Sequence, residues 1–263
     1  MQLDLTGRHA LVCGASQGIG RASAIELAEL GADVTVLARS ADALRALAES
    51  LPRTHAQQRH AWRSVDMLDT HALQDAAVDI VAGSSVQILI NNTGGPPGGP
   101  AHTADPAAFE AAFRQHLLGS QTLLQVVLPG MRAAAYGRIV NVISTSVKEP
   151  IPNLGVSNTV RAAMAGWSKT LAGELAADGI TVNNVLPGYT RTGRLDSMLA
   201  AQAKASGRSQ EDIAKALIET IPARRFGEAS DVAAMVAFLC TPAAGYVNGV
   251  TIAVDGGRVR SLN

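Results

Sequence analysis

The chain carries no excess of either charge, only two cysteines and no long apolar run. Its 22 Lys plus Arg are balanced by 22 Asp plus Glu over 263 residues, so no bulk field draws it to nucleic acid or an anionic membrane. A local site can still bind phosphate. Cys13 and Cys240 are far apart and each sits inside an apolar stretch. That excludes a disulfide framework and points to buried free thiols in a reducing compartment, with the cytoplasm as the expected location. No apolar segment approaches the length of a bilayer span, and Asp4 and Arg8 precede the first apolar run, so neither a signal peptide nor a transmembrane helix is expected. His9, His55, His60, His71 and His102 show no spacing with Cys or acidic residues that would make a metal site.

What is present is alternation. Short β-rich runs at 9–13, 33–38, 61–65, 86–90, 138–143, 180–186 and 249–254 are separated by helical patterns at 18–30, 41–51, 69–82, 105–131, 156–178 and 228–240. With 47% of residues hydrophobic, the chain can bury one large core. Strand–helix alternation predicts an α/β fold with a parallel sheet covered on both faces. Two segments break the rhythm: 93–106, rich in Gly and Pro, and 191–225, which precedes the last helix.

The first chemical signal is CGASQGIG, Cys13 to Gly20, directly after the first strand and opening a helix. Gly14, Gly18 and Gly20 let the backbone approach a pyrophosphate. Ser16, Gln17 and Ile19 fill the turn, and the helix start offers free N–H groups and partial positive charge. A dinucleotide site is the reading this placement supports.

The spacing of those glycines resembles the phosphate loop of the short-chain dehydrogenase/reductase family, with Cys13 in the place of a Thr. The resemblance runs through NNTG (91–94), GRIVNVIS (137–144), PGYTRT (187–192) and the C-terminal GVTIAVDGG. It implies a single Rossmann-like, doubly wound domain of seven parallel strands over 1–263, with 191–225 as a helical lid over the substrate. At the end of the second strand, Ala38 stands where an NAD-type acid would fall, followed by Arg39 and Ser40. A guanidinium there can pair with a 2′-phosphate, which favours NADP(H), although a surface Arg is the plainer reading. Asp66, with Met67 beside it, matches the position that contacts adenine, unless it caps the next helix. Asn92, Thr93 and Gly94, and Pro187, Gly188, Thr190 and Thr192, would line the rest of the cofactor groove.

The resemblance also implies an Asn–Ser–Tyr–Lys tetrad, and here the chain departs from it. Ser144 keeps the Ser position. Ser157 stands at the Tyr, Arg161 at the Lys and His116 at the Asn. An alkyl hydroxyl cannot replace a phenol as general acid near neutrality, and a guanidinium cannot relay a proton as an ammonium can. Tyr189, Lys148 and His116, the last of which titrates near neutrality when unperturbed, are the candidate substitute proton donors on nearby segments. Each also has a plainer role: packing over the cofactor, solvation, or a hydrogen bond within its helix.

Two functions follow. One is an NADP(H)-dependent oxidoreductase moving hydride between nicotinamide and a carbonyl or alcohol substrate. The other is an inactive dinucleotide-binding protein acting as sensor, scaffold or partner subunit. General acid–base catalysis is worth about 10²–10⁴-fold, so its loss leaves a slow enzyme rather than a dead one, which favours the first. Small residues along 105–131 and 156–178 allow close helix packing, and a homo-oligomer, dimer or tetramer, is expected.

Overall fold

A strand exposes alternate side chains on opposite faces, and the sequence places apolar residues at consecutive positions in its short runs, so both faces of the sheet must be covered. The structure, a computed structural model, describes residues 1–262. Its elements in chain order are β1 (His9–Cys13), α1 (Gly18–Glu29), β2 (Asp33–Ala38), α2 (Ala41–Ser50), β3 (His60–Ser64), α3 (Thr70–Gly83) and β4 (Ile88–Asn92). Then follow α4 (Pro106–Phe113), α5 (Gly119–Ala133), β5 (Gly137–Val142), α6 (Gly155–Leu175), β6 (Ile180–Pro187), α7 (Gly193–Ser206), α8 (Gln210–Glu219), α9 (Ala229–Cys240) and β7 (Thr251–Val254). All seven strands join one sheet in the order β3-β2-β1-β4-β5-β6-β7, parallel throughout. The doubly wound single domain expected from the sequence is the one found.

Alternation sorts the core. Ala10, Val12, Val34, Val36, Ile88 and Ile90 face one layer, with Leu27 of α1, Leu44 of α2 and Val236 of α9. Leu11, Cys13, Leu37 and Leu89 face the other, with Leu73 of α3, Leu123 of α5 and Leu171 of α6. Each fully buried Leu or Ile contributes about 1.5–3 kcal/mol relative to exposure. The connections run outward in opposite senses from the neighbours β1 and β4, so the loops after these two strands flank a crevice at the carboxyl edge.

Most boundaries shift by one or two residues from the sequence expectation, and three of the differences have a clear physical reason. β4 ends two residues later, because Asn91 and Asn92 continue the ladder opposite Asn141 and Val142. Asn91 is itself satisfied by donating to Asn141 Oδ1 at 2.8 Å. The single helix expected over 105–131 is instead α4 and α5 joined by a π-helical turn, Arg114–Leu118. Asp105 caps α4 by accepting from the Ala107 N–H at 2.9 Å, and the turn inserts where Gly119 packs without a side chain against Met67. Such turns re-aim a side chain inside a helix, and this one carries His116. The helix begun at Gly155 ends at Leu175 and finishes as a short 3₁₀ turn, Ala176–Asp178.

Segment 191–225 folds as α7 and α8 around a small cluster of Leu195, Leu199, Ile213 and Ile221, closed by Phe226 just beyond it. Both cysteines are free and buried; burial pushes Cys13 up to about 12 and Cys240 upward as well. Among the described residues, no helix is long and apolar enough to cross a membrane, and no group of His, Cys, Asp and Glu is placed to hold a metal.

Candidate active site

The loop between β1 and α1 is built so that only glycine fits at two of its three glycines. A Cβ on Gly14 would stand 2.4 Å from the Asn92 carbonyl oxygen, and one on Gly20 would stand 2.3 Å from the Gly14 carbonyl oxygen. These two close the loop against β4 and α1. Gly18, with φ of +58, faces the Thr192 methyl at 3.1 Å from the site of its absent Cβ, and it is the glycine that opens toward the crevice. α1 starts with no side-chain cap on Gln17 and no acid in its first turn, so its leading N–H groups suit an anion. Ser16 is half-buried and Ile19 packs on the first core layer, anchoring the turn. The cradle fits a dinucleotide pyrophosphate.

Asn92, expected to line the groove, uses its side chain otherwise: Nδ2 donates to the Cys13 and Gly14 carbonyls at 3.3 and 3.2 Å. It ties the phosphate loop to the end of β4. At the end of β2, Arg39 and Ser40 are exposed; Ser40 precedes α2 without a side-chain cap bond. Both side chains are therefore free for a ligand. Asp66 does not cap α3. That role falls to Asp69, whose Oδ1 accepts from the Ala72 N–H at 3.0 Å, while Asp66 accepts from the Leu68 N–H at 3.0 Å and borders an open hollow of about 430 Å³. Met67 is buried beneath Gly119; it supports α5.

Beyond β6, Pro187 closes the strand, and Gly188 lies where a Cβ would stand 2.7 Å from Asp255 Cα. The Thr190 hydroxyl donates to the Gly188 carbonyl at 3.2 Å and that of Thr192 to the Thr190 carbonyl at 3.3 Å. The turn thus holds Thr192 against the phosphate loop. Gly94 is exposed with open space beside it.

The structure brings three of the altered positions together. Arg161, 7% exposed, donates from Nη1 to the Val142 carbonyl at 2.9 Å and from Nη2 to the Thr93 carbonyl at 3.4 Å. The Thr93 hydroxyl bonds His116 Nδ1. Ser144, two residues beyond Val142, accepts from the Ser146 N–H at 3.1 Å. Ser157 lies buried one helical turn before Arg161 and makes no side-chain hydrogen bond among the described residues. Burial pushes Arg161 down to about 10, with the Arg194 charge as second cause, so it remains a cation at neutral pH.

His116 corrects an expectation. It does not titrate near neutrality: burial, and then the Arg161 charge, push it down to about 2. It is a neutral imidazole at physiological pH, and Nε2 has no partner. Tyr189 also lies apart from this group. Its ring packs edge-on against Phe226, with centroids 6.2 Å apart, under the Arg258 guanidinium at 4.7 Å. Lys148 ends the short 3₁₀ turn Thr145–Val147 and is half-buried. Neither touches Ser144, Ser157 or Arg161 through a side-chain hydrogen bond.

One residue of this region escaped sequence reasoning. Arg194, in the first turn of α7, donates from Nη2 to the Pro96 carbonyl at 2.9 Å, crossing from the helix to the loop after β4. Its only sequence signal was its place two residues beyond PGYTRT, inside a segment whose mixed charge hides any single cation.

The chain is similar to known proteins along nearly its whole length. A family model described as Enoyl-(Acyl carrier protein) reductase matches residues 14–258. The chain is 30% identical over 262 residues to the NADPH-dependent reductase BacG of Bacillus subtilis (strain 168), covering 98% of this chain and 100% of that protein. It is 34% identical over 257 residues to a 2,3-dihydroxy-2,3-dihydro-p-cumate dehydrogenase of Pseudomonas putida, covering 97% and 95%. The structure of L-sorbose reductase from Gluconobacter frateurii, complexed with NADPH and L-sorbose, superposes with a TM-score of 0.92 at 30% identity over 100% of both chains.

Proposed function

Because the chain belongs to the short-chain dehydrogenase/reductase family, we propose that it is an NADP(H)-dependent oxidoreductase with a rebuilt acid–base apparatus. Bound nicotinamide would supply or accept a hydride at a substrate carbon. Gly18, the first amides of α1 and Thr192 would hold the pyrophosphate, Asp66 the adenine, and Arg39 with Ser40 the 2′-phosphate. Ser144 would orient the substrate oxygen, and the Arg161 cation would stabilise negative charge developing on it. Ser157 and neutral His116 are no better than water as acids, so the site holds no efficient general acid, and that oxygen takes its proton slowly from solvent. α7 and α8 form the substrate lid, and a homo-oligomer face on α4, α5 and α6 is supported by Phe113 at the end of α4 and Leu118 in the π turn before α5, 40% and 37% exposed.

The observation that carries this reading is the intact phosphate cradle beside a buried cation and Ser144. NADPH oxidation by a broad panel of carbonyl compounds tests it. At least one compound is expected to be reduced, and Ser144→Ala is expected to lower kcat/KM for it by about tenfold or more. Silence across the panel with tight NADPH binding would replace the enzyme with a cofactor-binding protein.

The exposed Arg39 gives a separate expectation. A charge-assisted fork to a phosphate is worth more than a neutral hydrogen bond, so Arg39→Ala is expected to raise the Kd for NADPH by about 10- to 100-fold and leave that for NADH within about twofold. Equal losses for both cofactors, measured by fluorescence titration, would remove phosphate recognition from Arg39.

A further inference from the structure

Arg161 is a buried cation with no carboxylate beside it. It forms no ion pair among the described residues, its Nε has no hydrogen-bond partner, and its two outer nitrogens reach only backbone carbonyls. Buried charges are ordinarily paired, and an unpaired one inside a cleft marks a place for a charged ligand. A second cation, Arg194, stands close by. Arg194 Nη2 and Arg161 Nη2 lie 3.5 and 3.9 Å from the point where a Cβ on Gly95 would stand, so the two guanidinium groups face one spot that the glycine leaves unfilled.

Arg194 is also unfavourably placed without an anion. It sits in the first turn of α7, where the helix dipole repels a cation, and Asp196 in the same turn forms no ion pair with it. An anion between the two guanidinium groups would relieve the mutual repulsion, the unpaired burial and the dipole conflict together.

Two sources can supply that anion: the cofactor pyrophosphate or the substrate. Arg161 is anchored on Val142 and Thr93, two residues before Ser144 and one residue past the end of β4. The phosphate cradle is a separate construction around Gly18 and Thr192. The position beside Ser144 favours the substrate. We propose that Arg161 and Arg194 form an anion subsite and that the substrate is a short oxo acid whose carboxylate lies within a few bonds of the carbonyl held by Ser144. This rests on the oxidoreductase reading, and bidentate recognition by guanidinium forks gives it selectivity for a planar carboxylate.

The test uses the full chain, with and without saturating NADP⁺, titrated calorimetrically with oxamate and with its neutral ester, ethyl oxamate. Oxamate is expected to bind about tenfold tighter than the ester or better, and Arg194→Met is expected to abolish that difference while changing the NADP⁺ Kd by less than about threefold. Arg194 is exposed, so the variant folds as the parent does. Equal binding of acid and ester overturns the subsite. So does an Arg194→Met variant that loses NADP⁺ affinity tenfold and keeps oxamate selectivity, which would assign the pair to the pyrophosphate. Failure to bind NADP⁺ at all would sink the oxidoreductase reading instead, and the cofactor-free titration would still decide the anion subsite.

Discussion

Exchanging Ser157 for Tyr and Arg161 for Lys in one chain is expected to raise kcat for carbonyl reduction by about 10²–10⁴-fold, the usual range for adding a positioned general acid. The present site has the elements of orientation and charge but no acid. Ser144 sits at the carboxyl edge of β5, Arg161 is a cation fixed to two backbone carbonyls, and Ser157 is one turn away on the same helix face. A phenol at 157 would stand above the cation at 161, and an ammonium there would lower the phenol pKa and hold its proton near the substrate oxygen. Both changes are needed, because Tyr alone would face a guanidinium, which cannot relay a proton as an ammonium can.

If Arg161 also binds a carboxylate, the same double variant should show its gain in kcat together with a higher KM for oxo acids, since Lys offers a point charge in place of a fork. Steady-state kinetics on an oxo acid and a neutral ketone separates the two effects. A variant that melts like the parent yet gains nothing on either substrate would show that the pocket has been reshaped for other chemistry and that the missing proton donor is not what limits it.

The fold was legible because alternation and periodicity are properties of neighbours in sequence. The strands reproduce within two residues, since each apolar run must satisfy two opposed core layers. Where the sequence misled, a distant partner decided. Asn91 and Asn92 look like the end of a strand until Asn141 and the Gly14 carbonyl take up their side chains. Asp66 is the cap that the sequence suggests, and the geometry at Ala72 selects Asp69 instead. The π turn that buries His116 runs into Gly119, which packs on Met67, a contact no local pattern encodes. The motifs drew attention to the glycine loop after β1 and to Ser144, but the meeting of Arg161 with Arg194 across Gly95 joins three segments and could not be read from any one of them.

His116 yields the second large effect, in acid. Its imidazole is 2% exposed and is held down to about 2 by burial and by Arg161, against an ordinary 6.5 in the unfolded chain. Below that ordinary value the unfolded chain takes up a proton that the folded chain refuses. The stability linked to this group is therefore fully present above pH 6.5 and falls as pH drops, by about 1.4 kcal/mol per unit. Between pH 7 and 4.5 it amounts to about 3 kcal/mol, a large share of the stability of an ordinary domain. His9 and His60, also pushed down by burial, act in the same direction. His116→Asn keeps a neutral side chain able to bond Thr93 and leaves those two untouched, so it isolates the term. Urea unfolding at both pH values is expected to show the parent losing about 3 kcal/mol more than the variant on acidification; equal losses would mean that folded His116 takes up protons normally. The same neutrality reaches the chemistry. With His116 uncharged down to low pH, Arg161 is the sole cation of its triad with Thr93, and the pH profile of NADPH oxidation should show no inflection near 6.5 from this imidazole.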